Sequence, residues 1–429
     1  MAIKKQLKNK HMKRNHIIVV LILVTFFVIS FLTNILGALN PSVSLSFSLS
    51  ETMAGFLPFS FFIAYGVMSI PAGFMVEKFG EKKLMIFAFV LAFAASILFA
   101  GIPSFGLFLF SLFTIGTGMA ILQVVINPLL RVTGGEENYA FTSVIAQLIF
   151  GAASFVSPQV YSWLVTGIDK APAEQSSIIS LISGIVPADM SWVSIYWIFA
   201  LASLAMIIII FGIRFPKVEL KDDEKAGSKE SYLLLFKNKM VILYFFGIFA
   251  YVGVEQGISY WMSKFLQIYH GLDYETIGAK AVGNFWGLMT IGGILGLILL
   301  KVMDSKLVLK LFTSIAIVSL GIALYTTDAD TSLYAFQASG FFLAVMYPII
   351  LSLGLNSVSK HHGSFAGILM TGIMGGAVVQ LLIGLISDFT SLKTGMFFNF
   401  VALAYILSIG FWAKPIISNK TISFKKKED

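Results

Sequence analysis

The chain has 429 residues, of which 57% are apolar or aromatic and only 12% charged, where soluble domains carry about 25% charged residues. A soluble globular fold is excluded, and at about 20 apolar residues per bilayer crossing the length fits a dozen spans with little left for a soluble domain. The net charge of +8 lies in short segments between apolar runs, with no basic and aromatic alternation to follow a phosphate backbone, so no nucleic-acid partner is expected.

Residues 1–16 form a basic tail carrying Lys4, Lys5, Lys8, Lys10, Lys13 and Arg14. The apolar run that starts at Ile17 is too long for a signal peptide and lacks a small-x-small cleavage site, so an uncleaved first helix is expected. Further apolar runs follow at 53–75, 84–101, 105–130, 140–165, 192–213, 240–263, 281–300, 307–326, 332–356, 365–387 and 395–413. These predict an all-α membrane protein with twelve transmembrane helices. The charged stretch 214–239 splits them into two six-helix bundles, 17–213 and 240–413, and reads as a solvated linker rather than a regulatory site. Residues 414–429 are a second basic tail. Basic segments resist translocation, and every Lys and Arg except Lys170, Lys264, Lys280 and Lys393 falls on one side if the N-terminus is inside. Both termini are therefore expected in the cytoplasm, with the chain in the inner membrane.

The two halves echo each other about 220 residues apart. Asn127-Pro128 in the fourth run has a counterpart in Tyr347-Pro348 of the tenth, and Gly151-Ala152-Ala153 in Gly375-Gly376-Ala377. The loop residues Glu77, Lys78, Gly80, Lys82 and Lys83 are mirrored by Asp304, Ser305 and Lys306. Pseudo-symmetric halves of this kind bind their substrate at the bilayer midplane and rock about it.

Embedded polar side chains are the functional pointers in such a protein. In the fourth run Gly116, Ala120, Gln123, Asn127 and Arg131 share one helix face, and in the fifth Ser143, Gln147, Gly151, Ser154 and Pro158 do so. Ser30, Asn34, Gly37 and Pro41 form a third stripe in the first run. The small residues, with Gly292 and Gly296, read as close helix packing. The amides Asn34, Gln123, Asn127 and Gln147 carry the donors and acceptors that match a polyhydroxylated ligand, with interhelical bonding as the alternative. Gln380 shares a face with Gly372, Gly376 and Gly384, and is open to either reading. Tyr347 joins the candidates as the counterpart of Asn127.

Glu255 is the one carboxylate far inside an apolar run, within FFGIFAYVGVEQGISYWM. A charge there costs about 2.5–3.5 kcal/mol on insertion scales. It suits a carboxylate that binds and releases a proton, or one that helps hold Na⁺, whereas a bland role would be a helix contact or a reach to the outer interface. Gln256 and Tyr260 lie beside it, and Asn284 and Trp286 open the eighth run. An aromatic ring can cover the apolar face of a sugar while amides bind its hydroxyls. Trp261 reads as an interfacial belt residue.

No HExxH, GxxxxGK[ST] or GxSxG motif occurs, so neither an enzyme nor ATP-driven transport is indicated. The chain lacks cysteine, and His361-His362 point to different helix sides, so neither a metal site nor a cofactor is expected. The stretch SIPAGFMVEKFGEKK, Ser69 to Lys83, resembles the loop signature of the major facilitator superfamily, with Glu77 where that family usually has Asp. GTGMAILQVVINP, YVGVE, NFWGLMTIGGILG, MYPIILSLGLNSV, Gly375-Gly376 and Ser387-Asp388 resemble its fucose and glucose/galactose permease branch. That resemblance implies a monosaccharide taken up with H⁺ or Na⁺ by alternating access, through a fold complete as a monomer in the lipid bilayer. Two acidic positions of the proton-coupled fucose branch are missing, with Gln123 and Gly37 in their places, so any coupling would shift to Glu255. The branch's Arg in the eighth helix is Gly293 here. Uniport or export of another small polar solute, or a sugar receptor derived from a transporter, are the competing readings; the lack of an appended domain speaks against a receptor.

Overall fold

The computed structural model describes residues 16–134, 139–215, 229–358 and 360–416. The tails up to residue 15 and from 417, and linker residues 216–228, lie outside this set. Among the described residues, twelve helices are long and apolar enough to cross a membrane. They are α1 (His16–Ser46), α2 (Glu51–Phe79), α3 (Glu81–Gly101), α4 (Phe105–Thr133), α5 (Thr142–Ile168), α6 (Ser191–Gly212), α7 (Lys239–His270), α8 (Tyr274–Val302), α9 (Ser305–Tyr325), α10 (Ala329–Leu355), α11 (Gly363–Phe389) and α12 (Leu392–Trp412). Hydrocarbon offers no partner for backbone amides, so apolar segments of this length resolve as helices that satisfy their own hydrogen bonds. Some hydroxyls inside the spans are satisfied the same way: Thr25 and Thr33 donate to the carbonyls of Leu21 and Ile29 at 2.8 and 2.7 Å.

With an even number of crossings, His16 and Ile416 lie at the same end of the bundle, called here the near end. The Ile416 N–H donates to the Asn356 carbonyl there at 2.8 Å. Helices α1 to α6 pack into one half and α7 to α12 into the other. Helix α1 breaks its helical pattern at residues 34–35 and α10 at 344–345, whereas their counterparts in the opposite halves, α7 and α4, run unbroken, so these breaks are not part of the internal echo.

Three seams join the halves, α1 with α7, α2 with α11, and α5 with α8. Small residues set their closeness, because a bare backbone admits a neighbouring helix. A methyl at Gly37 would collide with the Ser259 carbonyl of α7, one at Gly384 with the Glu51 carbonyl of α2, and one at Gly151 with the Thr290 side chain of α8. The echoed glycines do matched work: Gly151 of α5 meets α8, and Gly376 of α11 meets Phe62 of α2. Gly292 and Gly296 pack α8 on Phe341 and Val345 of α10.

Two sequence expectations are corrected. Helix α7 runs to His270 rather than ending at 263, which draws Lys264 out of its expected loop and into the helix, where it is buried. An ion pair with Glu51 makes that burial tolerable. Trp261 is fully buried against Tyr260 rather than lying in an interfacial belt, because α7 is central and its far half is enclosed.

The loop signature between α2 and α3 is a joint. Lys82 Nζ donates to the carbonyls of Phe211 and Ile213, both at 2.8 Å, where a cation complements the negative end of α6. Gly80 reverses the chain at φ 81° and ψ 159°, a region essentially restricted to glycine. Gly80→Ala is expected to lose about 1–3 kcal/mol, seen as a lower melting temperature of the detergent-purified protein; an unchanged melting temperature would contradict this account of the turn.

Candidate functional site

At the near end α4 and α10 do not close on each other, while α2 and α11 stay in contact. Helix α4 packs on α1, α2, α3 and α5, and α10 on α7, α8, α9 and α11, each within its own half. The stripe foreseen on α4 faces the cleft between them. Gln123, Asn127 and Arg131 are partly exposed, while Ile121, Leu122, Val125, Ile126, Leu129 and Leu130 beside them are buried. On α5, Gln147 is exposed. From the second half, α7 contributes one opening: between Ala250 and Leu266 every residue is buried except Glu255. The costliest residue of the segment is thus the one that the fold leaves open.

Polar groups from four helices link these positions. Gln123 Nε2 donates to the Tyr65 hydroxyl of α2 at 3.3 Å, and Asn127 Nδ2 to the Gln123 carbonyl at 3.1 Å. Tyr65 lies within electrostatic reach of Tyr347 on α10, across the divide between halves. The ring of Tyr347 stands 5.7 Å from that of Tyr251 on α7, and the Tyr251 hydroxyl donates to Glu255 Oε1 at 2.6 Å. The side-chain amide of Gln256 lies within electrostatic reach of the Glu255 carboxylate. The Tyr347 hydroxyl has only a weak bond to the sulfur of Met370 at 3.6 Å, which a ligand oxygen can displace. Together these groups offer amide and phenol donors, amide and carboxylate acceptors, and two aromatic faces, a set suited to a small molecule rich in hydroxyls.

Other predicted residues sit apart from this cluster. Asn34 is buried at the break in α1 and donates to Ser154 of α5 at 2.8 Å, beside Ser30, whose hydroxyl donates to the Phe150 carbonyl at 2.6 Å. Its bonds tie α1 to α5. Asn284 donates to Gln337 at 3.5 Å within the second half. Gln380 donates to the Gly253 carbonyl at 3.0 Å, leaving its amide oxygen buried without a partner. Trp286 is buried with its indole N–H unpartnered. Tyr65 and Tyr251 were missed. Tyr251 lies one helical turn before Glu255, a spacing that could have flagged it; Tyr65 differs from the phenylalanines around it only by its hydroxyl, whose partner the sequence does not reveal.

The departures noted in the sequence also have physical counterparts. Gly37 lies against the α7 backbone, where no acidic side chain would fit, and nothing stands within 4 Å of a methyl placed at Gly293. Among the described residues no group of three or more His, Asp or Glu is placed to hold a metal.

Comparison with known proteins agrees with this architecture. A glucose/galactose transporter of Brucella abortus is 28% identical over 390 residues, covering 90% of this chain and 91% of its own. The L-fucose-proton symporter of Escherichia coli is 28% identical over 411 residues, covering 89% of each chain. Among solved structures, the outward conformation of the transporter FucP superposes with a TM-score of 0.66 at 22% identity, covering 92% of this chain and 98% of that one. An inward-facing bacterial homologue of the lysosomal transporter Spinster superposes with a TM-score of 0.73 at 14% identity, covering 92% and 96%. The sequence profile of the Major Facilitator Superfamily matches residues 21–381, and the chain belongs to that superfamily.

Proposed function

We propose that this chain is a secondary transporter of the glucose/galactose and fucose carrier branch, importing a monosaccharide together with a proton by alternating access. The observation that carries the reading is the juxtaposition of Glu255 with the amide and tyrosine groups of Gln123, Asn127, Tyr65 and Tyr347 in one cleft between the halves. The named relatives support the sugar, and the fucose-proton symporter supports the ion.

In this reading the near end faces the cytoplasm, the membrane is the inner membrane, and the monomer is the transport unit. The cleft is then open inward and sealed outward. Gln123, Asn127 and Gln147 of the first half and Tyr347 of the second hold the sugar hydroxyls. Asn34, Gln256, Asn284, Trp286 and Gln380 pack behind these groups, with the unpaired indole N–H of Trp286 and amide oxygen of Gln380 available to a ligand after rearrangement. Glu255 carries the proton. A single carboxylate with one phenol partner needs nothing more to bind H⁺, whereas a metal cation needs a shell of oxygens.

The role of Glu255 is tested by flux into proteoliposomes, with a panel of glucose, galactose and fucose and with Na⁺ and pH gradients imposed separately. Glu255→Gln is expected to abolish accumulation against a gradient while sugar counterflow persists. Unaltered concentrative uptake in the variant, or accumulation driven by Na⁺ alone, would overturn proton coupling at Glu255.

Gln123→Ala and Asn127→Ala each remove hydrogen bonds worth about 0.5–1.5 kcal/mol, so sugar dissociation constants are expected to rise about 2- to 12-fold. Calorimetric affinities equal to those of the parent would take these residues out of the binding site.

A further inference from the structure

The end of the bundle away from the termini is closed by charge as well as by packing. Glu51, in the first turn of α2, places Oε2 at 2.7 Å from Lys264 Nζ on α7 of the other half. Lys264 is 7% exposed and also donates to Ser44 Oγ of α1 at 3.2 Å. Ser44 donates to Asn40 Oδ1 at 3.1 Å, and Asn40 Nδ2 donates to the Tyr260 carbonyl at 3.2 Å, back on α7. Tyr260 in turn donates to the Ala54 carbonyl of α2 at 2.6 Å. One face of α7 is therefore bonded to both α1 and α2.

A second charged contact crosses the divide beside the first. Asp388 accepts from the backbone amides of Glu51 and Thr52 at 2.7 and 3.0 Å. These are amides at the N-terminus of α2, which attract an anion. Asp388 itself lies one residue before the C-terminal end of α11, where the partial negative charge of its own helix disfavours a carboxylate. Its position is unfavourable within its own half and becomes favourable only when α2 of the opposite half is docked against it. Ser50 already caps α2 locally by accepting from the Met53 amide, so α2 does not need Asp388 in order to fold.

We infer that Glu51, Lys264 and Asp388 form an ionic latch, built from both halves, that holds this end shut and must be broken and remade in each cycle, so that its strength sets the balance between the two access states. The inference rests on the alternating-access reading, but its test uses neither sugar nor an ion gradient. Helix α7 carries both Glu255 in the cleft and Lys264 in the latch, nine residues or about 13 Å apart along a rigid helix, so a tilt of α7 moves both.

The chain has no cysteine, so a single reporter, Ser259→Cys, placed on the buried α7 face against Gly37, reads opening of this end through its rate of maleimide labelling. Lys264→Gln and Asp388→Asn, each in that background, are expected to raise the rate, by about tenfold for the buried lysine and less for the exposed aspartate. High salt is expected to raise the parent rate but not that of the double variant. The charge swap of Glu51→Lys with Lys264→Glu is expected to label more slowly than Lys264→Gln alone, which loss of packing would not produce. Parent-like labelling in both single variants, or a swap no slower than Lys264→Gln, would overturn the latch. Failure of sugar flux with labelling changed as expected would instead strike the transport reading and leave the latch standing.

Discussion

Hydrocarbon provides no hydrogen-bond partner, and the whole architecture follows from how this chain disposes of its polar groups under that constraint. Backbone amides are consumed by helices. Hydroxyls such as those of Thr25 and Thr33 fold back on their own helix. Asn34 and Gln380 spend donors on neighbouring helices, and Lys264 is neutralised by Glu51. Others are left partly or fully exposed: the face of α4 carrying Gln123 and Asn127, Gln147, and Glu255.

The same constraint sets how the halves meet. Between helices in lipid the hydrophobic effect gives little net drive, so contact depends on close backbone approach and on polar bonds. Glycines 37, 151, 376 and 384 supply the first along all three seams, and the charged and amide bonds of Glu51, Lys264, Asp388 and Asn40 supply the second at one end.

Much of the polar pattern could be read as periodicity, because a helix repeats its faces every three to four residues. The α4 stripe is the clearest case, since the spacing of Gln123, Asn127 and Arg131 placed them on one side before any packing was known. Periodicity is silent on what lies opposite. It could not separate Asn34, bonded to Ser154 some 120 residues away, from Asn127, which faces the cleft. Nor could it reveal Tyr65, whose role comes only from the approach of α4 and α10. Lys264 was misplaced for a related reason: a charge at the edge of an apolar run looks like a loop until a partner 213 positions away is brought alongside.

Composition and order along the chain determined that this is a twelve-span membrane protein, that its two halves repeat, and that Glu255 is anomalous, because insertion energetics act on each segment separately and leave their trace in local hydrophobicity and charge. Which polar residues share a site, which are spent on holding helices together, and which charges close one end were decided by tertiary structure alone. Those outcomes depend on partners more than a hundred residues apart, and a polar group in a membrane has no fixed meaning until the helix facing it is known.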